Sequence, residues 1–365
     1  MDPKKIIIFM PTIDGGGVEK NFFLITNYLS TKFKDISVIS LTKSCRKRLN
    51  PKIKLITLGT KLSNTIGRRT KFIISLFLLF KQILFSRHSI VICFQGLAYC
   101  TILCKFLSTK VIIRSNSSPS GWSKKYIKKT MYKKIYGMAN KIIVNSEEFK
   151  KELKLKFNLN SECIYNPLNK KEIIKNSTKK INISFFNKKD FKIISVARFT
   201  SQKDHFCLIK SINLLKHKYK NIKVLLIGSG NKKKEIQNFI DELKLNKIIK
   251  ILNFKKNPYP YMKKSDLFIL SSNFEGLPNV LLEAIALNKF VISSNCPTGP
   301  SEILDNGKGG LLFKVGDYKE LSKKIIYTIN NKDKCNEKLL FAKKRLGRFD
   351  YSKNLLKYYN IFNTI

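Results

Sequence analysis

The chain has 365 residues, 43% of them hydrophobic, and its 71 Lys+Arg against 24 Asp+Glu give a formal charge of +47. That length implies two domains rather than one core, and the apolar fraction excludes an intrinsically disordered chain. The eight Cys are scattered without a C-x-x-C pair and none of the three His sits with Cys at a zinc spacing, which excludes a disulfide framework and a zinc module.

In chain order, KIIIFM (5–10) has the pattern of a buried strand, PTIDGGG (11–17) is a loop, and VEKNFFLITNYL sets Val18, Phe22, Ile25 and Leu29 on one helical face. The polar loop follows the apolar run too soon for a signal peptide. Further strand-like runs are ISVISL (36–41), SIVICF (89–94), KVIIRS (110–115) and KIIVNS (141–146), with helices expected near 71–86 and 123–137. FIISLFLLF (72–80) is the longest apolar run, but Lys81 ends it well short of a bilayer span. Arg68, Arg69 and Lys71 precede it, and Lys81 and Arg87 follow. It fits a helix lying on a membrane surface and equally a core helix with charged ends. Cys100 and Cys104, spaced i, i+4 among apolar residues, are expected as core thiols of a reducing, cytoplasmic protein.

Residues 166–190 turn polar and charged, and the domain boundary is expected there. Alternation then restarts with FKIISVAR (191–198), a helix from about 204, KVLLIGSG (223–230), a helix from about 232, IIKILNF (248–254) and DLFIL (266–270). A helix over 278–288, KFVISS (289–294), GGLLF (309–313) and a helix from about 317 follow, and YSKNLLKYYNIF makes a last amphipathic helix. Such alternation implies mostly parallel sheets wrapped by helices. Two doubly wound halves imply a cleft faced by the C-terminal ends of the strands, where ligands of such folds bind.

Three places could serve such a ligand. Gly15-Gly16-Gly17 joins a strand to a helix and would let backbone amides approach an anion. It is neither G-x-G-x-x-G nor a P-loop, so a plain tight turn fits as well. In VARFTSQKD, Arg198 and Lys203 follow a strand and suit a diphosphate, although lysine is abundant throughout. In NFEGLPNVLLEAIAL (273–287), Pro278 is expected in the first helical turn, with the Asn279 and Val280 amides as donors at a positive helix end. Glu275 precedes that turn. Glu283 lies one turn beyond Asn279 inside apolar surroundings, where a carboxylate needs a partner. A ribose diol is one candidate for Glu283, and a buried Lys or Arg is the other.

These segments together resemble the large GT4 family of retaining glycosyltransferases. Its E-x7-E signature is similar to Glu275-Gly-Leu-Pro-Asn-Val-Leu-Leu-Glu283, and GGGVEKNF, VARFTSQKD, IGSG and CPTGPSEIL (296–304) stand in the expected order. The resemblance covers essentially the whole chain. It implies an α/β chain of GT-B fold, two Rossmann-like doubly wound domains facing a central cleft. The domains expected are 1–180 for the acceptor and 181–345 for the nucleotide-sugar, with 346–365 as a helix returning towards the first. It further implies Gly16 and Gly17 near the donor, Arg198 and Lys203 on its diphosphate, and Asn279 and Val280 amides on phosphate. Glu283 would hold the ribose and Glu275 the donor sugar, with Gly230 and Phe254 near the base and Glu302 as a further contact. Catalysis would fall to Glu275, Arg198 and Lys203.

Many relatives place a histidine in the region that here reads IIRSNSSPSGW (112–122), leaving Arg114, Asn116 or Ser117 for its space. No D-x-D occurs, so neither a metal nor another cofactor is expected. CPTGPSEIL is similar to segments of bacterial transferases that use UDP-N-acetylhexosamines or related UDP-sugars for lipopolysaccharide, capsule or glycan assembly. The resemblance therefore implies a UDP-sugar donor, a glycan or polyprenyl-linked acceptor, and a position on the inner face of the cytoplasmic membrane. The positive charge has three sources open to it: a Lys-, Asn- and Ile-rich proteome, attraction to an anionic membrane, and nucleic acid, the last without any supporting motif. Rival readings are a nucleotide-sugar epimerase on the same scaffold and a polyanion-binding protein. Oligomeric state is left open.

Overall fold

The structure, a computed structural model, describes residues 4–13, 15–58, 67–86, 88–116 and 126–365, with side chains in the last segment from Thr130 onward. Arg87, Ser117 and residues 123–125 therefore lie outside the described residues. The chain divides into two compact units, Met1–Pro167 with Tyr351–Ile365, and Leu168–Asp350.

The first unit is built on a parallel sheet in the order β3-β2-β1-β4-β5-β6-β7. Its strands are β1 (Lys5–Phe9), β2 (Asp35–Ile39), β3 (Lys54–Ile56), β4 (Ile90–Cys93), β5 (Lys110–Arg114), β6 (Lys141–Val144) and β7 (Glu162–Cys163). β1 and β4 are buried on both faces, as a sheet covered by helices on each side requires. Alternate residues of β1 feed opposite cores. Ile6 and Ile8 join Phe22, Ile25 and Leu29 of the Gly17–Leu29 helix, with Leu355, Tyr358 and Phe362 of the Tyr351–Thr364 helix. Ile7 and Phe9 pack on the other face with Leu79, Ile83, Cys100 and Cys104. Cys100 and Cys104 lie on the Leu97–Phe106 helix, and all eight cysteines are buried and unbridged. β3 and β7 were not expected from the sequence; three and two residues are too few to show a period.

Arg114 ends β5 and is completely buried. Its Nε donates to the Tyr358 hydroxyl at 2.6 Å, one Nη donates to Asn166 Oδ1 at 2.6 Å, and the other to Asn116 Oδ1. The guanidinium also stands 5.7 Å from the centre of the Phe94 ring. Arg114 and Asn116, two of the three residues left for the space of a sugar-positioning histidine, are thus hydrogen-bonded within the first unit. Both are spent on fastening β5 to the last helix and to Asn166.

The second unit repeats the design with a parallel sheet in the order β10-β9-β8-β11-β12-β13. These strands are β8 (Phe191–Val196), β9 (Ile222–Gly228), β10 (Ile249–Asn253), β11 (Leu267–Leu270), β12 (Phe290–Ser294) and β13 (Leu311–Phe313). β8 pairs with β9 on one side, Val196 opposite Ile227, and with β11 on the other, Ile193 opposite Leu267. The division at 167/168 falls at the start of the polar stretch 166–190 in which the boundary is expected, ahead of the 180/181 position given for it. The Lys170–Ser177 helix belongs to the second unit because it packs on helices Tyr259–Lys263 and Asn279–Ala286. Asn257 Nδ2 also donates to Asn176 O at 2.9 Å. Polar composition there marks an exposed face of the second unit rather than a linker. The two chain crossings enter that unit together, with Leu168 N donating to Phe349 O at 2.8 Å.

A buried guanidinium loses stability when one of its acceptors is removed. Tyr358→Phe is expected to lower the unfolding free energy by roughly 1–3 kcal/mol, measured by urea denaturation. A change below about 0.5 kcal/mol would show that Arg114 does not depend on that hydroxyl.

Candidate functional site

In the second sheet β8 is the point from which chain order runs outward in both directions, so the loops after β8 and β11 are the pair that flank a topological switch. They are laced together. Asn273 N donates to Gln202 O at 2.8 Å, and Asn273 Nδ2 to Ser201 O at 2.9 Å. Gln202 Nε2 returns to Phe274 O at 2.8 Å. Ser271 Oγ donates to Lys203 O at 3.1 Å and Asp204 O at 2.8 Å. The loop after β12 joins them, with Glu275 N donating to Pro297 O at 2.8 Å and Thr298 N to Glu275 O at 3.2 Å. Gly299 makes this closure possible: its φ is +94°, and a Cβ there would stand 2.1 Å from Gly276 O.

Glu275 sits where the three loops meet, with 7% of its side chain exposed. Its Oε1 accepts from Lys203 Nζ and from Ser272 Oγ. Its Oε2 has no hydrogen-bond partner among the described residues. A carboxylate this buried is stable because a cation and a hydroxyl hold one oxygen. The other oxygen remains an acceptor. Lys203 is mostly buried as well, and its ammonium has three N–H groups, of which Glu275 takes one.

The other candidate residues of this unit lie in the connections that follow the C-terminal ends of its strands. Arg198 is exposed and meets only Gln202 Oε1, at 3.5 Å, among the described residues. Pro278 stands just before the Asn279–Ala286 helix as its N-cap, in an extended conformation, rather than in its first turn. The half-buried Asn279 and Val280 begin that helix, where helix geometry provides no intrahelical acceptor for the first amides. Glu283 is 5% exposed and its Oε1 accepts from the Tyr259 hydroxyl at 3.3 Å. Gly230 follows β9 and Phe254 follows β10, both at the same strand ends. Gly230 presses on the loop after β8, where a Cβ would stand 2.2 Å from Phe199 O, and Phe254 is 57% exposed. Glu302 is half-buried in the short Pro300–Ile303 helix. Gly16 and Gly17 belong to the first unit, exposed at the start of the Gly17–Leu29 helix, with open space where a Gly16 Cβ would be. The Gly15 amide donates to Glu19 Oε2 at 2.5 Å, which fixes the loop.

Sequence reasoning missed Ser272, Tyr259, Gln202 and His205. Ser272 and Tyr259 carried a weak signal as polar groups beside a strand end and beside a Pro. His205 opens the His205–Leu215 helix and is 1% exposed, edge-on to Phe199 with ring centres 5.0 Å apart. Neither of its ring nitrogens has a hydrogen-bond partner among the described residues. Burial, helped by the nearby Lys203 charge, pushes its pKa down to about 4. It is a neutral packing residue behind the Lys203 loop. Cys296, near Glu275, is pushed up to about 12 by burial, so it stays an inert thiol.

The folded pKa of His205 lies below the unfolded one, so unfolded chains take up the extra proton. Stability is then complete above about pH 6.5 and is lost as pH falls towards about 4. Urea unfolding of wild type and His205→Leu at pH 7 and pH 4.5 isolates this group. The difference between the two proteins is expected to move in favour of the variant by roughly 2–3 kcal/mol at the lower pH. A difference that does not change with pH would contradict the assignment.

Residues 176–344 match the family described as Glycosyl transferases group 1. An uncharacterized glycosyltransferase of Methanocaldococcus jannaschii is 36% identical over 178 residues, covering 47% of this chain and 44% of that protein. The N-acetylgalactosamine-N,N'-diacetylbacillosaminyl-diphospho-undecaprenol 4-alpha-N-acetylgalactosaminyltransferase of Campylobacter jejuni is 30% identical over 215 residues, 57% of each chain. The chain thus spans about half the length of these curated relatives. Among solved structures, Anabaena HepE in complex with UDP-glucose superposes with a TM-score of 0.78 at 17% identity, over 99% of this chain and 100% of that one. At such identity the likeness is one of fold. It gives the two Rossmann-like units the GT-B class expected from the sequence.

Proposed function

We propose, from the membership of residues 176–344 in the Glycosyl transferases group 1 family, that this chain is a retaining glycosyltransferase. It takes a sugar from a nucleotide-sugar, a UDP-N-acetylhexosamine or related UDP-hexose, and delivers it to a lipid-linked, lipopolysaccharide or capsule glycan. The observation that carries the donor half is Glu275. At the switch point of the second sheet it is a buried carboxylate with Oε1 held by Lys203 and Ser272, and with Oε2 left to accept from a sugar hydroxyl.

The donor would then be held by parts with separate duties. Glu283 takes the ribose diol. The exposed Phe254 and the bare backbone of Gly230 flank the base. The Asn279 and Val280 amides, at a positive helix end, take phosphate, and Glu302 is a further contact. As the bond from the sugar anomeric carbon to the diphosphate oxygen breaks, negative charge grows on the leaving group. Arg198 and the two remaining donors of Lys203 offset it. The acceptor oxygen bonds to the same face of the anomeric carbon, and its proton passes to the departing phosphate oxygen. No metal or other cofactor has a part in this proposal. The first unit, with Gly16 and Gly17 approaching the donor, is assigned to the acceptor. The acceptor chemistry is supported by the Campylobacter relative, whose name specifies a diphospho-undecaprenol substrate. With an acceptor on such a lipid, the protein would work at the inner face of the cytoplasmic membrane.

Lys203→Ala alone is a poor test, because it strands a buried carboxylate and costs about 3–5 kcal/mol of stability. Lys203→Met combined with Glu275→Gln keeps the shape and removes both charges. That variant is expected to fold while losing at least about a hundredfold in sugar transfer from UDP-N-acetylhexosamine to a polyprenyl-diphosphate glycan, a loss in the range of an electrostatic stabiliser. Proton NMR of the wild-type product should show the donor's anomeric configuration kept. Full transfer by the double variant, an inverted product, or conversion of the donor to an epimer without acceptor would each contradict the proposal.

A further inference from the structure

Two helices of the first unit turn their apolar sides outward. On Arg68–Phe85, Ser75, Leu79 and Ile83 are buried, while Ile73 is 68%, Phe77 59% and Phe85 81% exposed. On Leu97–Phe106, Cys100, Thr101 and Cys104 are buried, while Tyr99 is 65% and Phe106 80% exposed. Residues spaced by three and four share one helical face, so Tyr99, Ile102 and Phe106 form a single outward stripe. The two helices enclose an open groove of about 410 Å³, walled by Leu76, Phe77, Phe80, Tyr99, Ile102 and Phe106. Gly96 shapes it. Its φ is +66°, and a Cβ there would stand 2.4 Å from the Phe72 ring, so glycine lets the second helix begin against the first without displacing that ring.

Charge on these helices has one sign. Arg68, Arg69, Lys71, Lys81 and Lys105 are present and neither helix contains an acidic residue. Arg68, Arg69 and Lys81 are exposed, and Lys81 Nζ stands 5.5 Å from the centre of the Phe77 ring, at the edge of the groove. A contiguous outward apolar face is unusual on a monomer and marks an interaction site. Among the described residues no helix is long and apolar enough to cross a membrane. Exposed aromatics ringed by cations suit the boundary between headgroups and hydrocarbon.

We propose that this groove and its cationic rim are a docking surface for an anionic lipid bilayer. The aromatic and aliphatic side chains enter the acyl boundary, and Arg68, Arg69 and Lys81 meet lipid phosphates. The site names the membrane surface that a lipid-linked acceptor requires, and to that extent it rests on the proposed function. Binding to vesicles nevertheless needs no donor, so the two can fail separately.

The test is flotation of the full chain with phosphatidylcholine vesicles, with and without phosphatidylglycerol. Three proteins are compared: wild type, Phe77→Ser/Phe106→Ser, and Arg68→Gln/Arg69→Gln/Lys81→Gln. All substituted side chains except Phe77, at the groove edge, project widely into solvent, and UDP titration of each protein reports on folding independently. Wild type is expected to float with the anionic vesicles, less so as salt rises, and not with phosphatidylcholine alone. Each variant is expected to partition at least about tenfold more weakly. Unchanged flotation of the apolar variant would overturn the proposal, since diffuse positive charge would then suffice. So would a wild-type dimer in light scattering that Phe77→Ser/Phe106→Ser dissociates, because the groove would then hold a second copy. If flotation behaves as expected while UDP fails to bind wild type, the donor site falls and the docking surface stands.

Discussion

A carboxylate kept out of water is the constraint from which the second unit is organised. Glu275 could not be buried at the switch point unless something held it, and Lys203 and Ser272 do. Those bonds need the loops after β8 and β11 side by side. Their backbones are tied by the Asn273, Gln202 and Ser271 bonds, and the loop after β12 closes over Glu275 through Pro297 and Thr298. Satisfying one oxygen of Glu275 thus assembles three loops at the ends of parallel strands. The second oxygen faces no partner among the described residues, and in the proposed function a sugar hydroxyl would complete it.

The same economy explains the first unit. Arg114 is another charge held without water, and its partners come from the segments that must be fastened: Asn116 beyond β5, Asn166 before the chain leaves the unit, and Tyr358 in the returning helix. Polar contacts here fix the ends of elements whose middles are fixed by apolar packing. The Arg68–Phe85 and Leu97–Phe106 helices show the opposite device, in which Ser75, Leu79, Ile83, Cys100, Thr101 and Cys104 face the core while Phe77, Phe85, Tyr99 and Phe106 face outward.

Much of this was legible in the sequence. Strands such as KIIIF and FKIISV are mostly apolar runs, and their alternation with helical stretches gives both sheets. The E-x7-E segment marked the Asn279–Ala286 helix and both of its carboxylates. The site also led to an expectation that needed refinement. Lys203, expected on a diphosphate, is also the partner of Glu275, a pairing not legible beforehand because contacts spanning 72 residues depend on how loops close and leave no periodic trace. Pro278 was one position out, since proline tolerates both sides of a helix start. The unit boundary lies inside the expected polar stretch, but composition did not fix its position there, because exposed charge looks the same on a linker and on a surface helix. For FIISLFLLF, sequence left two options, membrane surface or core. The helix has a buried side, as the core reading expects, and an exposed apolar side that the core reading leaves unaccounted for.

The proposed donor site adds to Glu275 a second buried carboxylate, Glu283, to take the ribose of the nucleotide. It is tested most directly by titrating UDP and 2′-deoxy-UDP into wild type and Glu283→Gln. A hydrogen bond to a charged group contributes about 1.5–3 kcal/mol, so wild type should prefer UDP by at least about tenfold. The variant should bind UDP more weakly and lose most of that preference. An equal preference in both proteins would place the ribose elsewhere and contradict the account.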